Sequence, residues 1–170
     1  MVYDYAYDKS TLVMATKGTI KSEKFNLLLE KYNNHKTYLL ACSGLADRIE
    51  NGNIEEIRKY LKEQLSDYKG KVENVVLGCT HYPLIQKEIE EILGRVTFFN
   101  GAPNLAKHLK EVLEENKMLN QGNGSIKFKD SKGIKEKEER FFELLKKYED
   151  RRETIWKTKE KEGLLLYLYL

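Results

Sequence analysis

The sequence predicts an α/β domain: a largely parallel sheet flanked by helices. Two observations carry that reading. Short apolar or β-branched runs alternate along the chain with segments whose apolar positions recur every three or four residues, the pattern of successive β-α-β units. Polar turns ("ATKGT", "ACSG", "GCTH") follow the first three runs, and in such sheets ligands bind at the carboxyl ends of the strands.

The elements follow in order. "STLVMA" (Ser10 to Ala15) reads as a buried strand and "TKGT" as a turn, with Thr19 positioned to N-cap a helix and Glu23 in its first turn. Phe25, Leu28, Leu29 and Tyr32 mark one face of that helix, which Asn33-Asn34 ends. "TYLLAC" (Thr37 to Cys42) is the second strand, closed by Ser43 and Gly44. A short helical piece with Leu45 and Ile49 reaches the break "ENGN", after which Ile54, Ile57, Leu61 and Leu65 step along a helix. "ENVVLG" is the third strand, and Pro83 opens a helix striped by Leu84 or Ile85, Ile89 and Ile92, ending at Gly94. "RVTFFN" is the fourth strand, and Leu105, Leu109, Val112 and Leu113 mark another helix. "QGNG" is a loop, "SIKFK" a fifth strand, and Phe141, Phe142, Leu145 and Tyr148 a last helix.

Composition narrows the function classes. At 170 residues the chain is one domain, or one and a fraction. The net charge of +3 is spread among interleaved lysines and glutamates, so no cationic face is concentrated for nucleic acid. Two cysteines, Cys42 and Cys79, make no disulfide framework and point to a reducing, cytoplasmic setting. "MVYDYAYDKS" lacks the apolar core of a secretory signal. The apolar tail "GLLLYLYL" is far shorter than the about 20 residues a membrane helix needs, so neither end suggests a membrane protein. Residues 151–170 carry charge without a clean stripe and read as an appendage, disordered or non-native.

The chemistry concentrates at "GCTHYP". Gly78 allows a tight turn or a close approach to a ligand, and it delivers Cys79, Thr80 and His81 ahead of a helix whose amides and dipole favour an anion. His81 is close enough in a turn to assist proton transfer at the thiol, and Thr80 offers a hydroxyl and an amide to a carboxylate. Three readings stay open on these residues alone: a nucleophilic Cys-His pair, a proton-shuttling thiol that never becomes covalent, and a structural cysteine with a satisfied histidine. Metal binding is disfavoured, because Cys42, His35 and His108 show no zinc-type spacing with Cys79 and His81.

"LGCTHYPL" (Leu77 to Leu84) closely resembles the second cysteine motif of glutamate racemases, the cofactor-independent enzymes that interconvert L- and D-glutamate. "MATKGTIKS" (Met14 to Ser22) and "ACSGLADRIENG" (Ala41 to Gly52) are similar to two further blocks of that family, in the same order. The resemblance runs from about Leu12 to about Tyr148. It implies one lobe of a two-lobed aspartate/glutamate racemase-like fold, with no cofactor, acting in D-glutamate supply for peptidoglycan. Cys79 matches one of two catalytic cysteines that act on opposite faces of the substrate α-carbon. His81 matches its assisting histidine, Thr80 a substrate-binding residue, Thr16 and Thr19 hydroxyls near the substrate, and Glu50 an acidic residue near the site. Cys42 matches no catalytic position and reads as a small buried residue.

The family's first lobe, with its Asp-Ser-Gly turn, Pro-Tyr-Gly segment and Cys-Asn-Thr-Ala block, has no counterpart in these residues. The resemblance therefore implies residues 12–100 as the second lobe, 101–150 as C-terminal elements that pack on the absent first lobe, and 151–170 as the appendage. The expectation is a truncated racemase with little or no activity alone. Its implied partners are glutamate as small-molecule substrate and either a second copy of the chain or the missing lobe. The alternatives are a non-catalytic lobe that binds a carboxylate or a partner, a racemase for aspartate or another amino acid, and a Cys-His hydrolase.

Overall fold

A computed structural model describes residues 8–32, 36–120, 127–129, 131 and 133–146. They fall into two compact units, Met1–Gly101 and Ala102–Leu170. The first contains four strands, β1 (Thr11–Ala15), β2 (Thr37–Ala41), β3 (Asn74–Gly78) and β4 (Thr97–Phe99), in the order β2-β1-β3-β4. Every pairing is parallel, which gives the expected α/β sheet.

Parallel neighbours need a crossover, and helices supply each one. Helices α1 (Lys17–Lys21) and α2 (Glu23–Tyr32) join β1 to β2, α3 (Leu45–Asn51) and α4 (Ile54–Leu65) join β2 to β3, and α5 (Gln86–Leu93) joins β3 to β4. Side chains alternate across a strand, so Leu12 and Met14 share a face with their register partners Val75 and Leu77. All four are buried with Leu45 and Ile49 of α3, Ile57, Leu61 and Leu65 of α4, and Ile89 and Leu93 of α5. That is the core, and it holds the expected stripes of α3, α4 and α5 apart from their ends: Ile54 lies exposed, and Ile92 only packs against the cluster from its edge, while Leu28 of the expected α2 stripe is exposed. On the opposite face Val13 and Val76 are half-buried and Leu39 is exposed. One buried polar pair sits there in register, Asn74 Nδ2 donating to Thr11 Oγ1 at 3.2 Å.

Local polar chemistry moves three predicted boundaries. Thr16, not Thr19, is the N-cap: it is extended (φ −69°, ψ 154°), and its Oγ1 accepts from the Thr19 amide at 3.2 Å. Thr19 lies inside α1, a single turn that ends when Ser22 starts α2 by accepting from the Phe25 amide. Pro83 lies in the first turn of a 3-10 helix, Tyr82–Ile85, and α5 begins only at Gln86. "SIKFK" forms no strand over residues 127–129, because the segment finds no ladder partner among the described residues. "QGNG", Asn33-Asn34 and the appendage 151–170 lie outside the described residues.

The second unit contains α6 (Ala102–Glu115) and a helix α7 over residues 135–146. Leu105, Leu109 and Val112 of α6 are exposed, and Phe128 and Phe141 stack with ring centroids 5.2 Å apart.

Candidate active site

Register brings three chain segments level at the carboxyl edge of the sheet. Ala15 pairs with Ala41 on one side and Gly78 on the other, so Thr16, Cys42 and Cys79 leave three adjacent strands together. Gly78 serves close approach between strands rather than a turn. Its φ is not positive, and a Cβ there would stand 3.0 Å from both the Met14 carbonyl oxygen and the Ala15 Cβ. Backbone cannot yield as a flexible side chain would, so only glycine lets the Cys79 segment approach the Thr16 segment this closely.

Beyond Gly78 the chain turns at once. The Tyr82 amide donates to the Cys79 carbonyl at 3.2 Å and the Leu84 amide to the His81 carbonyl at 3.0 Å. Those two amides are consumed by the turn, and the α-helix starts only at Gln86, which removes the helix N-terminus expected beside the thiol. The turn instead sets an imidazole against it: Cys79 Sγ lies 3.7 Å from His81 Nδ1. The other ring nitrogen, Nε2, lies 2.8 Å from Glu50 Oε1 near the end of α3. A carboxylate can only accept, so Nε2–H donates to Glu50 and a neutral ring leaves Nδ1 to accept from the thiol. Cys79, His81 and Glu50 thus form one line from thiol to carboxylate. It runs from half-buried to exposed, with His81 29% and Glu50 61% exposed in their side chains.

Cys42 occupies the equivalent place one strand pair away and has the opposite environment. It is 2% exposed, and burial pushes its thiol up to about 12, with a nearby Cys79 adding to the effect and a hydrogen bond with Tyr82 opposing it. Tyr60 behind it is also raised to about 12 by burial, while the Arg48 guanidinium, 4.8 Å over its ring, works the other way.

The remaining predicted residues separate into two groups. Thr16 and Thr19 meet each other, Oγ1 to Oγ1 at 2.9 Å, at the end of β1. Thr80 is exposed at the corner between Cys79 and His81. Sequence reasoning missed Tyr82, which is fully buried and donates from its hydroxyl to the Cys42 carbonyl at 3.3 Å. The available signal was an aromatic residue inside an otherwise polar motif. Among the described residues no cluster of three His, Cys, Asp or Glu side chains could hold a metal ion, and no helix is long and apolar enough to cross a membrane.

Fold and site together define a lobe of parallel α/β type that carries a thiol-imidazole-carboxylate line at the carboxyl edge of its sheet. Over this stretch the chain is a homologue of glutamate racemases, which are amino-acid isomerases. It is 41% identical over 117 residues to the glutamate racemase of Clostridium perfringens (strain SM101 / Type A), covering 66% of this chain and 45% of the relative. It is 38% identical over 148 residues to glutamate racemase 2 of Bacillus subtilis (strain 168), covering 81% of this chain and 56% of the relative. The crystal structure of glutamate racemase from Francisella tularensis in complex with D-glutamate superimposes with a TM-score of 0.56 at 34% identity, covering 67% of this chain and 45% of that one. The chain spans about half the length of the curated relatives it matches. No family model matches it.

Proposed function

We propose that this chain supplies one proton-transferring face of a glutamate racemase, with Cys79 as the base or acid at the substrate α-carbon. The observation that carries the reading is the Cys79-His81-Glu50 line at the carboxyl edge of the sheet. As base, the Cys79 thiolate takes the α-proton: the C–H bond breaks, S–H forms, and the electron pair remains on the α-carbon beside its carboxylate. His81 first accepts the thiol proton at Nδ1, while Glu50 holds the ring and offsets the charge that develops on it. Thr80 and the Thr16-Thr19 pair offer hydroxyls to the glutamate carboxylates.

Inversion requires a second thiol on the opposite face. Cys42 is unsuited to that role, buried and with its proton held up to about 12. The second face therefore belongs to another stretch of polypeptide, either a first lobe or a second copy. The exposed Leu27 and Leu28 of α2 and Leu39 of β2 support such an association. Two free thiols are consistent with work in the cytoplasm.

The test is incubation of the chain with L- and with D-glutamate in deuterated water, read by the α-proton signal. The expected result is no interconversion, and slow α-deuteration of a single enantiomer that disappears in Cys79→Ser. Deuteration that survives Cys79→Ser overturns the assignment, and interconversion of both enantiomers by this chain alone gives the second face to a second copy in place of a first lobe. Absence of deuteration at the highest soluble glutamate concentration overturns the substrate.

A further inference from the structure

Tyr82 follows His81 directly, yet its side chain is fully buried while Cys79 and His81 remain accessible. Its hydroxyl reaches across 40 positions of sequence to donate to the Cys42 carbonyl at 3.3 Å. That carbonyl also lies 3.5 Å from the Leu45 amide at the start of α3, the helix that carries Glu50. The Cys42 amide in turn donates to the Ala15 carbonyl at 2.8 Å, next to Thr16. The backbone of one residue, Cys42, therefore ties together the three segments that bear the candidate site residues, and Tyr82 is the only side chain of the "GCTHYP" turn bonded to it.

Two cross-links thus join the same pair of segments. Tyr82 to Cys42 is buried, and His81 to Glu50 is exposed. An exposed ion pair between flexible side chains does not hold a geometry by itself. We propose that Tyr82 is a positioning residue: its hydroxyl on the Cys42 carbonyl fixes the offset between the 79–82 turn and α3 at which Glu50 meets His81 Nε2 while Nδ1 stays against Cys79. Burial raises the Tyr82 phenol, so it remains a donor at any pH where the thiol works. The chemical meaning of this clamp rests on the proton-transfer reading above, but its geometry does not.

The test uses the full chain as Tyr82→Phe, which keeps the ring and removes the donor. In the unsubstituted protein the imidazole nitrogen shifts of His81, assigned through their loss in His81→Gln, report the Nε2–H tautomer. In Tyr82→Phe the two nitrogen signals move toward a common average. The rate of Cys79 alkylation by iodoacetamide falls by about fivefold, the loss expected for one neutral hydrogen bond. Glu50→Gln causes a similar loss, and the double variant is no slower than either single one because both act through the same ring. Tyr82→Met, an adaptable apolar substitute, gives the same readouts if the phenylalanine variant does not fold. Unmoved histidine shifts, or losses that multiply in the double variant, overturn the clamp. Neither readout needs glutamate turnover, so a chain that fails to deuterate glutamate but shows the shift and the non-additivity sinks the function and keeps the clamp.

Discussion

Cys42 and Cys79 leave the sheet at the same level, one strand apart on either side of β1, and differ in everything that decides reactivity. Cys42 follows an edge strand into the core, where burial holds its proton and its backbone carries the hydrogen bonds. Cys79 follows a glycine into a turn at the edge of the core, half-buried, with an imidazole against its thiol. The residue type is the same, and the next few residues of chain decide which thiol stays accessible beside an imidazole. "SGL" sends Cys42 under α3, while "THY" returns a ring to Cys79 and buries only the tyrosine.

The largest effect should separate the two thiols outright. Cys79→Ser is expected to abolish alkylation and any α-deuteration of glutamate. Cys42→Ala should leave both rates and lower stability by about 1 kcal/mol, read from urea unfolding. Next, His81→Asn removes the proton acceptor and should slow α-deuteration by about 100-fold. Gly78→Ala presses a methyl against the Met14 carbonyl and should cost about 1–3 kcal/mol in thermal unfolding, while shifting Cys79 away from the Thr16 segment.

The buried partner has its own signature at high pH. The folded Cys42 thiol is raised from 9.0 to about 12, so between those values the unfolded chain has lost a proton that the folded chain keeps. Stability is therefore fully present below pH 9 and falls as pH rises toward 12, by at most about 1.4 kcal/mol per pH unit for this group. Cys42→Ala should reduce that slope most between pH 9 and 10, since Tyr60 and Tyr82, both raised by burial from 10.0, add their share at higher pH. The smallest effect is expected from Glu50→Gln, about fivefold on the alkylation rate, since the amide oxygen can still accept from Nε2 but offsets no charge.

Much of this was legible in the sequence, for particular reasons. The four strands were readable because "STLVMA", "TYLLAC", "ENVVLG" and "RVTFFN" are short apolar runs bounded by turn residues. The motif residues Cys79 and His81 were readable because a thiol and an imidazole two positions apart in a turn must be neighbours. Thr19 was misassigned as a cap because threonines three apart, Thr16 and Thr19, can each cap a turn, and only the backbone angle at Thr16 decides. "SIKFK" has strand composition, but its described residues 127–129 find no partner ladder among the described residues. Gly78 looked like a turn residue because its neighbour across the sheet, Ala15, lies 63 positions away. Tyr82 was invisible for the same reason: its hydrogen bond closes a distance of 40 residues.

The central claim is that Cys79, not Cys42, is the reactive thiol of this lobe. It is tested most directly by brief treatment of the folded chain with iodoacetamide at neutral pH, followed by peptide mass mapping over time. The account predicts a single adduct on the peptide carrying Cys79, with Cys42 labelled only after denaturation. Equal labelling of both cysteines, or labelling of Cys42 first, would contradict it.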